Sequence, residues 1–313
     1  MTAADAMPGD GDPLLSIVVT IVDGGDVLVR FLDAVTSQED PPPLEIIVPF
    51  DASVSTTKRL ESRYPDVLFM DLGEITPERP IDSAAGQHEL YDRRRARGLG
   101  AARGDLIAIL EDRGLPRADW AKTVARHHRE LPHGCIGGAI ECADVGLLQW
   151  AFYVCDFGRY GLPFESGPVG WVSDVNVTYK RATLEATRSL WEERFREPIV
   201  HWAMIEAGET LWLSSELVVI HERPETSLLR LLPERFDWGR LFGHIRAMHM
   251  RGWQRAAYTL LSPLIPIRLV FRHGRTQGAR GRMGRYLMAL PMTVVMLCAR
   301  TAGEVWGYVT KRA

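Results

Sequence analysis

The chain has 313 residues, of which 46% are apolar and 25% charged, and its formal net charge is −3. This composition excludes a fibrous or largely disordered protein, and the length suits one large domain with an appendage or two modest domains. We expect residues 1–13 to be disordered. Because the first dozen residues lack the basic start and apolar run of a secretory signal, we also expect the protein to be cytoplasmic. The four cysteines follow no metal-ligand spacing, which predicts buried, reduced thiols.

Apolar runs alternate with helical patterns along the first two thirds of the chain. Strands are predicted at 15–22, 44–50, 67–70, 106–110, 135–142, 176–179 and 211–220. Helices are predicted at 27–37, after 53, at 93–103, after 118, at 182–189 and at 197–207, and residues 147–160 are hard to assign. The first three strands are apolar without alternation, which is typical of a parallel sheet buried on both faces. Strands that alternate with helices predict right-handed βαβ units and an α/β fold. On the helix after 118, His127 and His128 are expected to face solvent.

The last third of the chain is basic and contains two apolar runs. Residues 222–313 hold 16 Lys and Arg against 5 Asp and Glu. The runs, 256–271 and 286–299, are shorter than the roughly 20 residues that a spanning helix needs, and they are interrupted or ended by Pro263, Pro266, Arg268, Pro291 and Arg300. Arginines between them are typical of a loop near anionic headgroups, so we expect interfacial or re-entrant helices, or else helices packed on the protein's own core. We expect no nucleic-acid partner, because the region lacks the motifs of one.

Acidic side chains follow two of the predicted strands. Asp51 comes after the second strand, and Glu111 and Asp112 come after the strand at 106–110, with Arg113 beside them. Ligands of open α/β sheets bind outside the carboxyl ends of the strands. The sequence therefore predicts a binding site at this edge of the sheet.

Several short motifs follow one another along the chain. They are Ser-Ile-Val-Val-Thr-Ile-Val-Asp-Gly at 16–24, Phe-Asp-Ala-Ser at 50–53, Ala-Arg-Gly-Asp at 102–105, Leu-Glu-Asp-Arg at 110–113, Asn-Val-Thr-Tyr-Lys-Arg at 176–181, and Arg196-Glu197 ahead of Gly208. In this order they resemble the motifs of the family 2 glycosyltransferases, with Leu-Glu-Asp-Arg in the place of Asp-x-Asp. The resemblance covers roughly residues 14–222 and implies a GT-A fold, an α/β fold with a mostly parallel sheet and flanking helices. Residues 223–313 are then a basic helical region associated with a membrane.

The resemblance also implies a reaction and residues for it. Family members transfer a sugar, most often a hexose, from a nucleotide-diphosphate donor to an acceptor hydroxyl with inversion, which needs a general base. Glu197 stands where the family has its catalytic Asp and is the candidate base. The alternative is a surface carboxylate in the first turn of a helix, which the helix dipole favours by itself. Asn176 is the candidate residue on the acceptor side.

Three further residues are candidates for binding the donor. Asp51 could accept hydrogen bonds from the nucleoside, or act as a helix N-cap or turn residue. Asp23 replaces the Asn that is usual in the family and could still accept bonds, or serve only in the turn. Arg97 belongs to the basic helix that leads into the strand at 106–110.

The chain departs from the family at the metal site. Glu111, Asp112 and Arg113 occupy the three positions of Asp-x-Asp on the donor side, so Arg113 replaces the Asp that binds Mg²⁺ or Mn²⁺ in the family. A guanidinium cannot bind a cation, but it can hold phosphate oxygens bidentately. Three interpretations stay open: Asp112 binds the metal, Arg113 neutralises the diphosphate without a metal, or the site has lost catalysis. His221 is a candidate for an additional ligand, or a structural residue.

Together these observations predict an inverting, hexosyltransferase-like enzyme on the cytoplasmic, inner face of the plasma membrane. Its expected partners are a nucleotide-sugar donor, a lipid-linked or cell-envelope polysaccharide acceptor, and an anionic membrane surface. The alternative is a catalytically silent protein of the same fold that binds a nucleotide-sugar or serves as a scaffold.

Overall fold

Four neighbouring strands run parallel in the sheet. In a computed structural model of the chain, which describes residues 15–143, 145–224, 226–248 and 250–310, these strands are Leu15–Thr20 (β1), Leu44–Phe50 (β2), Val67–Asp71 (β3) and Leu106–Glu111 (β4). They lie in the order β3-β2-β1-β4, and every residue of β1 is buried, as expected for a parallel sheet covered on both faces. The four predicted strands are confirmed, whereas the prediction for residues 1–13 lies outside the described residues.

The remaining strands extend the sheet beyond β4. They are Gly114–Pro116 (β5), Cys135–Cys142 (β6), Gly167–Val169 (β7), Asn176–Lys180 (β8) and Leu211–His221 (β9), in the order β4-β8-β6-β9-β5, with β7 also paired to β9. β8 runs antiparallel to both β4 and β6, and β5 and β7 run antiparallel to β9. Over the described residues the sheet has nine strands, and the predicted α/β sheet with flanking helices is confirmed as a mixed sheet.

Helices connect the strands in the predicted places. They are Gly25–Thr36 (α1), a 3₁₀ helix at Ala52–Leu60, Ala84–Ala101 (α2), Trp120–Glu130 (α3), Leu147–Asp156 (α4), Arg181–Glu185 (α5), Arg188–Trp191 (α6) and Glu197–Glu206 (α7). The unassigned residues 147–160 begin with α4, which is apolar and mostly buried. The single helix predicted at 182–189 is two short helices, α5 and α6. α7 ends just before Gly208, whose φ of +91° suits glycine because other residues would be strained there.

His127 and His128 are buried, which corrects the expectation that they face solvent. His127 Nε2 lies 2.9 Å from Ser214 Oγ, and His128 Nε2 lies 2.8 Å from Thr178 Oγ1. Burial lowers the pKa of His128 to about 3, so its ring is neutral at physiological pH. α3 is charged, but the face that carries the two histidines packs against the sheet.

The described residues form two compact units. The first, called the sheet unit here, consists of residues 15–76, 90–141 and 164–221. The second, called the helical unit, consists of residues 77–89, 142–163 and 222–310, with the gaps given above. The last boundary between the two units follows residue 221, one residue before the domain boundary expected between 222 and 223. The segments 77–89 and 142–163, which precede that boundary in the sequence, also belong to the helical unit.

The helical unit contains more helices than the two apolar runs of the tail predict. They are Leu228–Met248 (α8), Gly252–Leu261 (α9), Leu264–Ala279 (α10) and Met283–Thr310 (α11). Pro263 is the N-cap of α10 and Pro266 lies in its first turn, where a backbone N–H has no helical partner to lose. Pro263 therefore does interrupt the run at 256–271, which divides into α9 and α10, whereas Pro266 lies within the start of α10 and does not break it.

α11 corrects the prediction of a short apolar run. It has 28 residues and continues past both Pro291 and Arg300. A proline within a helix removes one hydrogen bond, and tertiary packing of the helix face can outweigh that loss. By length and composition α11 could cross a membrane, although core helices of soluble proteins have the same properties, and 39% of its most apolar stretch is buried.

α8 and α11 cross at two reciprocal Gly-x-x-x-Gly sequences, Gly239 with Gly243 on α8 and Gly303 with Gly307 on α11. A Cβ atom added to Gly239 would lie 1.9 Å from the Arg300 carbonyl oxygen, and one added to Gly303 would lie 1.9 Å from the Phe236 carbonyl oxygen. The obstructing atoms belong to the backbone and cannot rotate away. Small residues at this spacing let two helix backbones come into direct contact.

We expect Gly303→Ala to lower the free energy of unfolding by roughly 1–3 kcal/mol, because the added methyl group forces the two backbones apart. Gly284→Ala is the matched control on the same helix, since a Cβ at Gly284 would meet nothing within 4 Å. That control should be neutral or slightly stabilising. Urea unfolding followed by circular dichroism measures both, and equal stability of the two variants would show that the helix contact is looser than described.

Candidate functional site

The carboxyl ends of β1, β2 and β4 meet at one edge of the sheet. Thr20 at the end of β1 pairs with Glu111 at the end of β4, and Asp51 directly follows β2. His221, the last residue of β9, pairs with Gly114 and so lies beside the turn after β4. The structure therefore brings together most of the site residues that the sequence predicts, as parallel strand ends require.

Asp112 holds the turn that follows β1. Its side chain is fully buried, and its carboxylate accepts hydrogen bonds from the backbone N–H groups of Val22 (3.0 Å), Asp23 (3.1 Å) and Gly24 (2.7 Å). Burial raises the pKa of Asp112 to about 6, although these bonds favour the charged form and lower it. Both carboxylate oxygens are thus occupied in positioning this turn.

Arg113 pairs with Asp23 across the same turn. Its Nε donates to Asp23 Oδ2 at 2.6 Å and its Nη2 donates to Asp23 Oδ1 at 2.5 Å, which is bidentate geometry. Burial alone would lower the pKa of Arg113, but the bond to Asp23 and the nearby charges of Asp23 and Glu111 raise it. The guanidinium is therefore charged and keeps further N–H groups beyond the two that Asp23 uses.

Arg95, on α2, is a central residue of the site that the sequence reasoning missed. Its Nη1 lies 2.7 Å from Asp174 Oδ2 and 3.9 Å from Asp92 Oδ1, and its Nη2 lies 3.3 Å from Glu111 Oε1. Its Nε donates to Thr20 Oγ1 at 2.8 Å. One guanidinium thereby joins β1, the end of β4, and the loop before β8.

The carboxylates around Arg95 have raised pKa values. Burial raises the pKa of Asp92 to about 7, in spite of the neighbouring arginines. Burial, followed by the charge of Asp174, also raises the pKa of Glu111. Shifted carboxyl groups of this kind are common at functional sites. Neither Asp92 nor Asp174 lies in a recognised motif. The basic run of α2 is the sequence signal that lies near Asp92 and Arg95.

Glu197 lies in the first turn of α7, but its side chain is only 11% exposed, so it is not the surface carboxylate of the alternative interpretation. Its charge is among those that raise the pKa of Arg95, which links it to the cluster. One turn later, His201 Nδ1 lies 3.8 Å from Glu197 Oε1, and His201 Nε2 lies 2.8 Å from the Tyr179 hydroxyl. Burial lowers the pKa of His201 to about 4, so Glu197 stands beside a neutral ring. The role of Glu197 as a base stays a prediction.

Asp51 is held by a buried arginine. Its Oδ2 accepts from Arg94 Nε at 2.7 Å, and its Oδ1 accepts from the Ser53 N–H at 2.6 Å as the N-cap of the 3₁₀ helix. Arg94 also donates to the Ile21 carbonyl oxygen at 3.1 Å. Asp51 therefore has the capping role that the sequence allowed, and its donor-binding role stays a prediction. Arg97, one turn after Arg94, is exposed on α2.

Asn176 lies inside the sheet. Its Oδ1 accepts from Trp120 Nε1 at 3.0 Å, and its Nδ2 donates to the carbonyl oxygens of Ala139 and Leu217, both at 3.0 Å. The side chain is buried and ties β8 to β6 and β9. These contacts support a structural role for Asn176. Its role on the acceptor side stays a prediction, and the contacts do not favour it.

The residues at the edge do not fit a divalent cation as they stand. Position 113 is an arginine, both oxygens of Asp112 accept backbone hydrogen bonds, and Glu111 faces Arg95. Within the part of the chain that the structure describes, no three His, Cys, Asp or Glu side chains are grouped so that they could hold a metal ion. The roles of Asp112 and His221 as metal ligands stay predictions. The backbone hydrogen bonds that Asp112 accepts argue against its role as a ligand. The four cysteines are free thiols; Cys135 and Cys155 are buried as expected, whereas Cys142 is half-buried and Cys298 is exposed.

Comparison with known structures shows which fold this is. A mannosyltransferase from Pyrobaculum calidifontis, in complex with GDP-mannose and Mn²⁺, is 14% identical with a TM-score of 0.52, and the likeness covers 94% of this chain and 88% of that one. Residues 1–349 of S. aureus TarS, in complex with UDP-GlcNAc, are 12% identical with a TM-score of 0.51, covering 94% and 91%. No family model and no curated protein sequence matches the chain. The chain thus shares its fold with proteins solved in complex with nucleotide sugars.

Proposed function

We propose that this chain is a glycosyltransferase that moves a hexose from a nucleotide-diphosphate donor to an acceptor hydroxyl with inversion. The observation that carries the proposal is the cluster of carboxylates and guanidinium groups at the carboxyl edge of the sheet, centred on Arg95 and Arg113. It occurs on a fold shared with proteins that bind GDP-mannose or UDP-GlcNAc. Such a transfer needs a carboxylate base and positive charge for the leaving diphosphate, and the carboxylates and guanidinium groups of this cluster support assigning both roles here. The sequence resemblance to family 2 supports the same proposal.

In the proposed reaction the acceptor oxygen attacks the anomeric carbon in line with the bond to the diphosphate. Glu197 takes the hydroxyl proton as the new carbon–oxygen bond forms. The bond between the anomeric carbon and the phosphate oxygen breaks, and the nucleoside diphosphate leaves with the electron pair. Arg113 balances the charge on the leaving oxygens through N–H groups that Asp23 does not use.

A divalent cation accompanies GDP-mannose in the mannosyltransferase complex, and a cation is consistent with the shared fold. Such a cation would supply positive charge for the departing diphosphate. The side chains at this edge do not offer it a set of ligands, so the proposal assigns the positive charge to Arg113.

Donor binding and turnover test the proposal. Wild-type protein is expected to bind one member of a panel of UDP-, GDP- and dTDP-sugars in isothermal titration calorimetry. It should also release nucleoside diphosphate slowly from that donor by hydrolysis, even without an acceptor. Binding without any release would support the silent, nucleotide-sugar-binding alternative, and no binding across the panel would contradict both.

Arg113→Gln is expected to weaken donor binding by about 10–100-fold, because a hydrogen bond to a charged group contributes about 1.5–3 kcal/mol. EDTA should change the affinity of the wild-type protein little. The matched control is Arg117→Gln, which removes an exposed arginine that pairs with Asp119. Binding that vanishes in EDTA and returns with Mn²⁺ would instead show that a cation holds the diphosphate.

We further propose that the acceptor is a lipid-linked or cell-envelope polysaccharide and that the enzyme works on the inner face of the plasma membrane. The basic composition of the helical unit and the apolar α11 support this part of the proposal. An anionic membrane surface would be the third partner, beside donor and acceptor. Association with the membrane would concentrate the enzyme where such acceptors are found.

A further inference from the structure

One face of α10 is exposed and combines apolar with basic side chains. Leu264, Ile267 and Phe271 are 58%, 54% and 69% exposed, and Arg268, Arg272 and Arg275 are exposed beside them. At 3.6 residues per turn the six positions fall on one side of the helix, with the apolar residues on one half and the arginines on the other. The opposite side of α10, with Pro266, His273 and Gln277, is buried.

The sequence around this face carries an excess of positive charge. Between residues 238 and 303 it has 11 arginines and no Asp or Glu, and the flanking acidic residues Asp237 and Glu304 pair with Arg240 and Arg300. Partial burial, followed by the like charges of Arg159, Arg268 and Arg300, lowers the pKa of Arg272. Clustered guanidinium groups of this kind favour an anionic surface as a partner.

α11 adds a second exposed row beside α10, to which it is joined by the Tyr286 hydroxyl donating to the Val270 carbonyl oxygen at 2.8 Å. The larger exposed residues of this row are apolar: Leu287, Met288, Val295, Trp306 and Val309. Exposed apolar rows on two packed helices are unusual for a surface in contact only with water.

The packing of α11 argues against a spanning helix. Its glycine face is in backbone contact with α8, and α8 carries Glu234, Arg235, Asp237, Arg240 and Arg246. A bilayer that enclosed α11 would have to enclose these charges too, at a cost of roughly 2.5–3.5 kcal/mol for each arginine near its centre. An orientation parallel to the membrane plane avoids that cost.

We infer that the exposed face of α10, together with the exposed row of α11, is a surface that binds in the plane of an anionic phospholipid bilayer. Leu264, Ile267 and Phe271 enter the boundary between headgroups and acyl chains, and Arg268, Arg272 and Arg275 bind lipid phosphates. This inference deepens the proposed membrane association and rests on that part of the proposed function. It names the helix, the lipid charge and the depth of contact.

Co-sedimentation of the full chain with vesicles tests the inference. Wild-type protein should bind vesicles of equal parts phosphatidylglycerol and phosphatidylcholine, and should bind vesicles of phosphatidylcholine alone far more weakly. High salt should release it from the anionic vesicles. Equal binding to both kinds of vesicle, or binding that resists salt and alkaline carbonate as an inserted helix does, would overturn the inference.

Two triple variants separate the basic from the apolar half of the face. Arg268→Gln/Arg272→Gln/Arg275→Gln should bind anionic vesicles roughly 100-fold more weakly, since each arginine near such a surface contributes about fivefold. Leu264→Ser/Ile267→Ser/Phe271→Ser should also weaken binding. The matched control, Lys58→Gln/Arg59→Gln/Arg129→Gln, removes three exposed positive charges from the sheet unit and should bind as the wild type does.

Two results would contradict the inference through these variants. One is wild-type binding by the arginine triple variant, and the other is an equal loss in the control, which would show that only net charge matters. Donor binding of each variant, measured without vesicles, verifies that it is folded and keeps the two proposals separate. Binding of the donor without binding of vesicles would refute this inference alone. Binding of vesicles without binding of any donor would refute only the proposed transfer.

Discussion

Glu197→Gln is expected to lower the rate of sugar transfer by about 10²–10⁴-fold, the usual contribution of a general base. The amide has nearly the shape of the carboxylate but cannot take the proton of the acceptor hydroxyl. Donor affinity should change little, because the proposal places Glu197 on the acceptor hydroxyl and not on the diphosphate. Steady-state kinetics with the best donor, together with calorimetric titration of that donor, measures the two effects separately.

Glu206→Gln is the matched control for this experiment, since Glu206 is exposed at the other end of α7. It should retain the wild-type rate. Full activity of Glu197→Gln would remove Glu197 from the mechanism and leave it as a first-turn carboxylate favoured by the helix dipole. The search for a base would then turn to Asp174, Asp92 and Glu111, the other carboxylates around Arg95.

Asp51→Ala is expected to lower the free energy of unfolding by about 3–5 kcal/mol, because it leaves the buried guanidinium of Arg94 without its counter-charge. The two side chains are only 2% and 1% exposed. Asp71→Ala is the control from the end of the neighbouring strand, where the pair with Lys58 is exposed and should contribute at most about 1 kcal/mol. Urea unfolding of the two variants gives the comparison.

The double variant Asp51→Ala/Arg94→Met provides the sharper test. It removes both charges, so it should be more stable than Asp51→Ala alone if the unpaired guanidinium causes the loss. Donor affinity of a folded Asp51→Asn variant then reports on nucleoside binding. If Asp51→Asn has unchanged stability but binds the donor much more weakly, Asp51 serves ligand binding and contributes little to the fold.

The sheet could be predicted because its signals are local. Continuous apolar runs such as 15–20 and 106–110 show buried strands in the sequence itself, and parallel order places Asp51 and Glu111 at one edge without any knowledge of distant contacts. The bounds of β2 and β6 matched the prediction for the same reason.

Arg95 and Asp174 could not be found in this way. Their contact joins a helix to a loop far along the chain, and neither residue stands in a periodic pattern or a motif. His128 differs from the expectation for a charged helix because one face of that helix packs on the sheet. In the tail, the expectation that proline breaks a helix fails at Pro266, which occupies a first turn, and at Pro291, which lies in a long packed helix.

The bonds of Asp112 have a consequence for how this turn can recognise an anion. Consecutive backbone N–H groups in a turn often form a concave nest for phosphate oxygens. Here the N–H groups of Val22, Asp23 and Gly24 already converge on the Asp112 carboxylate, which acts as a built-in anion. These three main-chain N–H groups are therefore not available as a nest, so under the proposed function the diphosphate would be held by side chains such as Arg113, which pairs with Asp23 of the same turn.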